Sequence, residues 1–259
     1  MRDMRLDKFL ATCAGSTRSE VKKQLKKGMV LVNGAVETHP ERQIDPQQDC
    51  VVLAGKPVCW QPFVALMLNK PAGVVTATED RRQKTVMDGI DPPRRKELFP
   101  VGRLDIDTEG LLLLMNDGAL AHRMLSPRHH VDKTYYAKVL GTVDAQDVEA
   151  FAKGIDIGEK AQTLPAKLEI QSVKEVEQPF SETDSDQESP AEHAVISEIY
   201  LTICEGKFHQ VKRMFEARGK KVVYLKRVKM AGIALDDTLA PGQWRELTNE
   251  EMERLQKLC

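Results

Sequence analysis

Apolar positions recur along this chain first with a helical period and then with a period of two, and each change marks an element. Leu6, Phe9 and Leu10 share one side of a helical repeat, which predicts a short helix over Arg5 to Ala11. Thr17-x-x-Glu20 has the form of a capping box and opens a second helix that closes at Gly28, with Val21 and Leu25 turned to a core. In Met29-Val30-Leu31-Val32-Asn33-Gly34-Ala35-Val36 an Asn-Gly pair separates apolar runs, which predicts a tight hairpin. Cys50 to Leu53 reads as one more strand. Ala54 to Pro62, with two prolines and a glycine, reads as a linker, so domains are expected at 1–57 and 63–259, joined by 58–62.

The second domain begins with a strand at Phe63 to Leu68 and a turn at Asn69-Lys70-Pro71-Ala72-Gly73. Further strands are predicted at Leu111 to Met115, Tyr135 to Leu140, Ala166 to Ile170, Val195 to Cys204 and Val222 to Leu225. Helices alternate with them at Ala119 to Leu125, Ala145 to Lys153, Lys207 to Arg218 and Asn249 to Leu258. Asp144 and Thr248 stand at N-caps, Gly154 and Gly219 at C-caps. Such a mixture implies an α+β domain around a mixed, largely antiparallel sheet flanked by helices.

Charge changes this picture in one place. The formal net charge is −1, but residues 176–193 carry six acids and no Lys or Arg. Without them the chain holds 38 basic and 33 acidic residues, a net +5. The acidic stretch is poor in apolar residues and cannot offset the entropy of ordering, so it reads as a disordered loop between two strands. The five cysteines form no C-x-x-C pair, which implies neither a zinc site nor a full disulfide set and suits a reducing, cytoplasmic setting. No apolar run is long enough to span a membrane, and none reads as a signal peptide. No P-loop is present, and Asp105-x-Asp107 alone is a poor metal site; neither a cofactor nor a metal is expected.

The most informative segment is Gly102-Arg103-Leu104-Asp105-Ile106-Asp107-Thr108-Glu109-Gly110, leading into the all-aliphatic run at Leu111. A carboxylate at the mouth of a buried strand needs a partner or a task. This run resembles the active-site motif of RNA pseudouridine synthases, in which the aspartate matching Asp105 is catalytic. Ser126-Pro127-Arg128-His129-His130-Val131-Asp132-Lys133-Thr134-Tyr135 is similar to the RsuA-type branch, which modifies small-subunit ribosomal RNA. The helix-helix-hairpin order of the first domain resembles the RNA-binding domain named after ribosomal small-subunit protein four. Its second helix carries Arg18, Lys22, Lys23, Lys26 and Lys27, and phosphates are the partner such a set suits.

The resemblance implies an isomerase that breaks the N1 glycosidic bond of a uridine, turns the uracil and rejoins it through C5. Within its branch it implies action on 16S RNA at uridine 516. Asp105 would attack the base or the sugar, or manage the C2′ proton; the residues leave these routes open. Asp107 is read as structural. Arg103 would assist extrusion of the base, which must leave its stack to be reached. Tyr135, in Lys133-Thr134-Tyr135, would stack on the target uracil, with Tyr136 on the opposite sheet face. In Glu205-Gly206-Lys207-Phe208-His209-Gln210-Val211-Lys212-Arg213-Met214-Phe215, the family's basic partner of the aspartate maps to Lys212. Phe208, Val211 and Phe215 are expected to face the core by helical spacing. Lys207 and Arg213, with Arg128, His129 and His130, are expected to bind RNA, as part of a stripe of nine Lys or Arg and two acids between Glu205 and Met230. Lys70, Pro71 and Gly73 match the family's first motif and read as support beneath the active-site loop. The partner expected is ribosomal RNA in a small-subunit assembly intermediate, acted on by a monomer. A synthase for large-subunit RNA and a non-catalytic ribosome-assembly factor are the two other readings.

Overall fold

A computed structural model describes residues 4–14, 16–59, 63–91, 95, 98–126, 129–177 and 193–257. The chain divides into two compact units, Met1–Phe63 and Val64–Cys259.

The first unit holds β1 (Met4–Arg5), α1 (Leu6–Cys13), α2 (Arg18–Lys26), β2 (Val30–Val32), β3 (Ala35–Val36), β4 (Gln43–Ile44), β5 (Val51–Leu53) and β6 (Lys56–Val58). The capping box forms as expected: Thr17 Oγ1 accepts from the Glu20 amide while the Glu20 carboxylate accepts from the Thr17 amide. Leu6, Phe9 and Leu10 of α1, Val21 and Leu25 of α2, and Val30, Val32, Ile44 and Val51 of the strands close one core. Asn33 and Gly34 both have positive φ, as the tight hairpin requires. The expected linker is corrected at its start. Ala54 and Gly55 repeat that two-residue turn, and β6 pairs with β5, so the unit's sheet runs past residue 57. Pro57 is tolerated there because β6 is an edge strand.

The second unit contains β7 (Ala65–Lys70), β8 (Phe99–Pro100), β9 (Glu109–Met115), α3 (Gly118–Leu125), β10 (Lys133–Leu140), α4 (Ala145–Lys153), β11 (Lys167–Glu177), β12 (His193–Ile203), α5 (Gln210–Glu216), β13 (Lys221–Met230), β14 (Ile233–Ala234), β15 (Trp244–Glu246) and α6 (Asn249–Lys257). Seven strands run in the order β11-β12-β10-β13-β9-β7-β15, with β14 on β13 and β8 on β9. Every pairing is antiparallel except β13 with β9. The sheet is therefore mixed and largely antiparallel, with helices against it. Residues 176, 177 and 193, expected in the acidic loop, belong to β11 and β12; the rest of that expected loop lies outside the described residues.

Two features of this sheet set the site. The parallel pair places Gly110 of β9 beside Arg227 of β13, and Arg227 in turn lies beside Tyr135 of β10. The approach at Gly110 is so close that a Cβ there would sit 2.3 Å from the Arg227 carbonyl oxygen, and φ is +98°. Only glycine meets both conditions. The other feature is the seating of α5. Phe215 packs on Phe151 of α4 with ring centroids 4.8 Å apart, and fully buried Asp147 of α4 accepts from Arg218 and Lys220 just beyond α5. This helix is shorter than its apolar spacing predicts. His209 adopts a left-handed φ of +48°, so helical geometry begins only at Gln210.

That start corrects one core assignment. Val211 and Phe215 are buried, whereas Phe208 is 73% exposed, because it precedes the helix and does not share its face. On the opposite sheet face Tyr136 packs against Tyr200 and Tyr224, as strand alternation requires.

Candidate active site

The segment carrying Asp105 is fixed through its backbone. Thr76 Oγ1 accepts from the Leu104 amide and donates to the Leu104 carbonyl. The Ile106 carbonyl accepts from the Gly73 amide at 2.7 Å and from the Lys70 ammonium at 3.2 Å, and that ammonium also reaches the Thr108 and Pro71 carbonyls. Lys70 ends β7 instead of lying in the following turn, and its side chain is fully buried. Burial pulls its pKa down to about 8 against the upward pull of Asp107, Asp105 and Glu109. A buried cation under three carbonyls thus supports the loop from below, and both of the loop's aspartates remain available to partners above.

Those partners come from the residues around the start of α5. Lys212 Nζ lies 3.7 Å from Asp105 Oδ2 and 2.7 Å from both oxygens of Asp107. His209 Nε2 lies 3.5 Å from Asp105 Oδ1. The loop is thus joined to residues over a hundred positions away. Asp107 is the nearer partner of Lys212. Partial burial pushes its carboxyl up, but the hydrogen bonds and charge of Lys212 outweigh this and hold it below the ordinary range. Asp105 keeps one cation and one imidazole at slightly longer range, and its side chain is 28% exposed.

The chain segment before α5 is held by buried Gln210, which accepts from the Lys207 amide and donates to Glu205; Glu205 also accepts from the Leu164 amide. Tyr135 lies in the main core and is 8% exposed, across two strands from the start of β9. Arg103 is exposed, with no hydrogen bond or ion pair among the described residues. His129 and His130 are both exposed; Arg128 lies outside the described residues. In the first unit Arg18, Lys22, Lys23, Lys26 and Lys27 are all exposed, and none forms a salt bridge among the described residues.

The basic stripe between Glu205 and Met230 is less free than its sequence suggests. Lys207 and Arg213 pair with Glu159, and they also donate to the carbonyls of Ala161, Gln162, Ile157 and Phe208. Arg218 and Lys220 serve Asp147, and buried Arg227 donates to the Leu111 carbonyl. These five cations brace the fold. His209 is the site residue that spacing alone misses, because its proximity to Asp105 depends on the left-handed turn ahead of α5. Among the described residues no group of three or more His, Cys, Asp or Glu side chains is placed to hold a metal.

Comparison with known proteins gives the family. Residues 64–217 match the family model for RNA pseudouridylate synthase, and residues 4–50 match the S4 domain. The chain belongs to the RNA pseudouridylate synthases. It is 46% identical over 253 residues to the uncharacterised RNA pseudouridine synthase YtzG of Bacillus subtilis, covering 97% of this chain and 98% of that one. It is 39% identical over 255 residues to the ribosomal small subunit pseudouridine synthase A of Vibrio cholerae, covering 98% and 100%. A crystal structure of a pseudouridylate synthase superimposes with a TM-score of 0.66 at 38% identity, covering 97% of this chain and 99% of that one. The family model spans the braced loop, β10 and α5 together, and so includes Asp105, Tyr135 and Lys212. No helix among the described residues is long and apolar enough to cross a membrane.

Proposed function

We propose that this pseudouridine synthase isomerises a uridine of small-subunit ribosomal RNA, at the 16S position 516 that its branch implies. The observation that carries the reading is the placement of Asp105 on a loop braced from beneath by Lys70 and faced from above by Lys212 and His209. The full-length relative named for the small subunit supports the choice of RNA. In this reading the N1–C1′ bond breaks, the uracil turns, and a C5–C1′ bond forms while C5 gives up its proton and N1 gains one. Asp105 is the carboxylate that serves these steps. Lys212 stabilises its charge, and the preset loop avoids reorganisation during reaction. Tyr135 lies along the uracil, and exposed Arg103 takes the place of the extruded base or grips its phosphate. Arg18, Lys22, Lys23, Lys26 and Lys27, with the loop of Arg128, His129 and His130, hold the RNA backbone. Lys207 and Arg213 position the segment before α5. The protein acts in the cytoplasm as a monomer on an assembly intermediate of the small subunit.

The test is to map pseudouridines in ribosomal RNA from a strain lacking the protein, complemented by the parent or by Asp105→Asn. A single 16S position should lose its pseudouridine and regain it with the parent only. Loss of a large-subunit position would reassign the substrate. Full restoration by Asp105→Asn would remove Asp105 from the chemistry.

A further inference from the structure

Phe208 has the largest exposure of any big apolar side chain among the described residues, at 73%. The left-handed backbone at His209 takes it off the buried face of α5. Its ring lies flat on the His209 imidazole, with centroids 3.8 Å apart and planes at 20°. That imidazole stands 3.5 Å from Asp105 Oδ1. A two-ring stack therefore begins at the candidate catalytic carboxylate and ends in solvent. A positive φ at a non-glycine residue is unfavourable, and so is a phenyl ring left in water. Contacts around the start of α5 hold that backbone state, but the exposed ring has no part in the core.

The backbone beneath the platform is held in place. The Phe208 carbonyl accepts from Arg213 at 3.0 Å, and the Lys207 amide donates to the side chain of buried Gln210 at 2.8 Å. One face of the phenyl ring is covered by His209 and the other is open. An exposed ring with a free face, beside a site that must receive an extruded base, suits an unpaired nucleobase, because every base offers a π-face.

We propose that Phe208, backed by His209, is a stacking platform for an unpaired nucleobase of the substrate RNA that flanks the target uridine. The proposal rests on reading Asp105 as the centre of uridine isomerisation. Phe208 acts here in binding and positioning, outside the bond-making steps.

The experiment uses the full chain and small-subunit RNA transcribed in vitro, with Phe208→Ala, Phe208→Leu and Phe208→Trp. Dissociation constants are measured by filter binding and turnover by pseudouridine formation. Loss of one base stack is expected to raise Kd and KM by about fivefold to a hundredfold in Phe208→Ala and Phe208→Leu, with kcat at saturation nearly unchanged. Phe208→Trp should keep parental affinity, and its added indole should change emission when RNA binds, measured against the parent's own tryptophans. Parental Kd and KM in Phe208→Leu would overturn the platform, as would an unresponsive indole at 208. If the parent forms no pseudouridine in this RNA, the functional reading fails separately, and the Kd ratios still decide whether Phe208 stacks on a base. Equal melting temperatures of parent and variants, expected for so exposed a residue, exclude misfolding as the cause.

Discussion

Replacing Lys212 by methionine keeps the length of the side chain and removes its charge where two carboxylates converge. At the observed 3.7 Å from Asp105, a unit charge pair attracts by about 1 kcal/mol in bulk water and about 4 kcal/mol at an effective dielectric of 20. The two side chains are 20% and 28% exposed, which places the pair between these limits, at about 2–3 kcal/mol. If that stabilisation is lost from the transition state, the rate falls roughly 30- to 150-fold. The assay is single-turnover release of tritium from C5-labelled uridine in the RNA, since rejoining through C5 expels that hydrogen. RNA affinity, measured separately, should change little, because one cation among many contributes modestly to phosphate binding. A companion variant, Asp107→Asn, removes the nearer partner at 2.7 Å and leaves the ammonium to Asp105; it should keep most of the turnover. Two results would refute the reasoning. One is a Lys212→Met rate close to the parent's, and the other is a loss in Asp107→Asn as deep as that in Asp105→Asn. The second would make Asp107 the carboxylate that matters.

Removing residues 1–63 should weaken RNA binding at low salt and flatten its salt dependence, by about 0.7–0.9 in the log–log slope for each phosphate contact of the exposed α2 cations that is lost; an unchanged slope would mean that α2 does not touch RNA. Lys70 has a folded pKa of about 8 and an ordinary value of 10.5, so the unfolded chain binds more protons between these values and stability should rise with pH across that window, by at most about 3 kcal/mol. Urea midpoints of the parent and Lys70→Met from pH 7.5 to 10.5, a range set by about those two values, check this, since the variant should lack the rise. Turnover should fall across the same window as the loop carbonyls lose the ammonium. Gly110→Ala should destabilise the second unit by roughly 2–4 kcal/mol, because its Cβ would meet the Arg227 carbonyl and its φ is positive. A parental melting temperature in that variant would show that β9 and β13 can separate at no cost.

The sequence determined the longer elements and pointed to the chemistry. Thr17 and Glu20 define the start of α2, Asn33-Gly34 defines its hairpin, and Asp144 caps α4, because capping and turn chemistry act between residues close in the chain. The aliphatic run after Asp105 marks a central strand for the same local reason. Motifs of unusual length then made Asp105, Tyr135 and Lys212 legible as candidates, though spacing carried no information on the distances among them. Tertiary structure decided how Lys212 divides between Asp107 and Asp105, because that depends on where α5 is seated by Phe151 and Asp147. It also decided that Lys207, Arg213, Arg218, Lys220 and Arg227 are occupied within the fold. Charge counts along a chain cannot tell a cation that meets solvent from one that meets a carboxylate dozens of residues away. Phe208 failed the helical spacing because a single left-handed residue, His209, delays the helix by one turn. Such a backbone state is selected by surrounding contacts and leaves no periodic trace in the sequence.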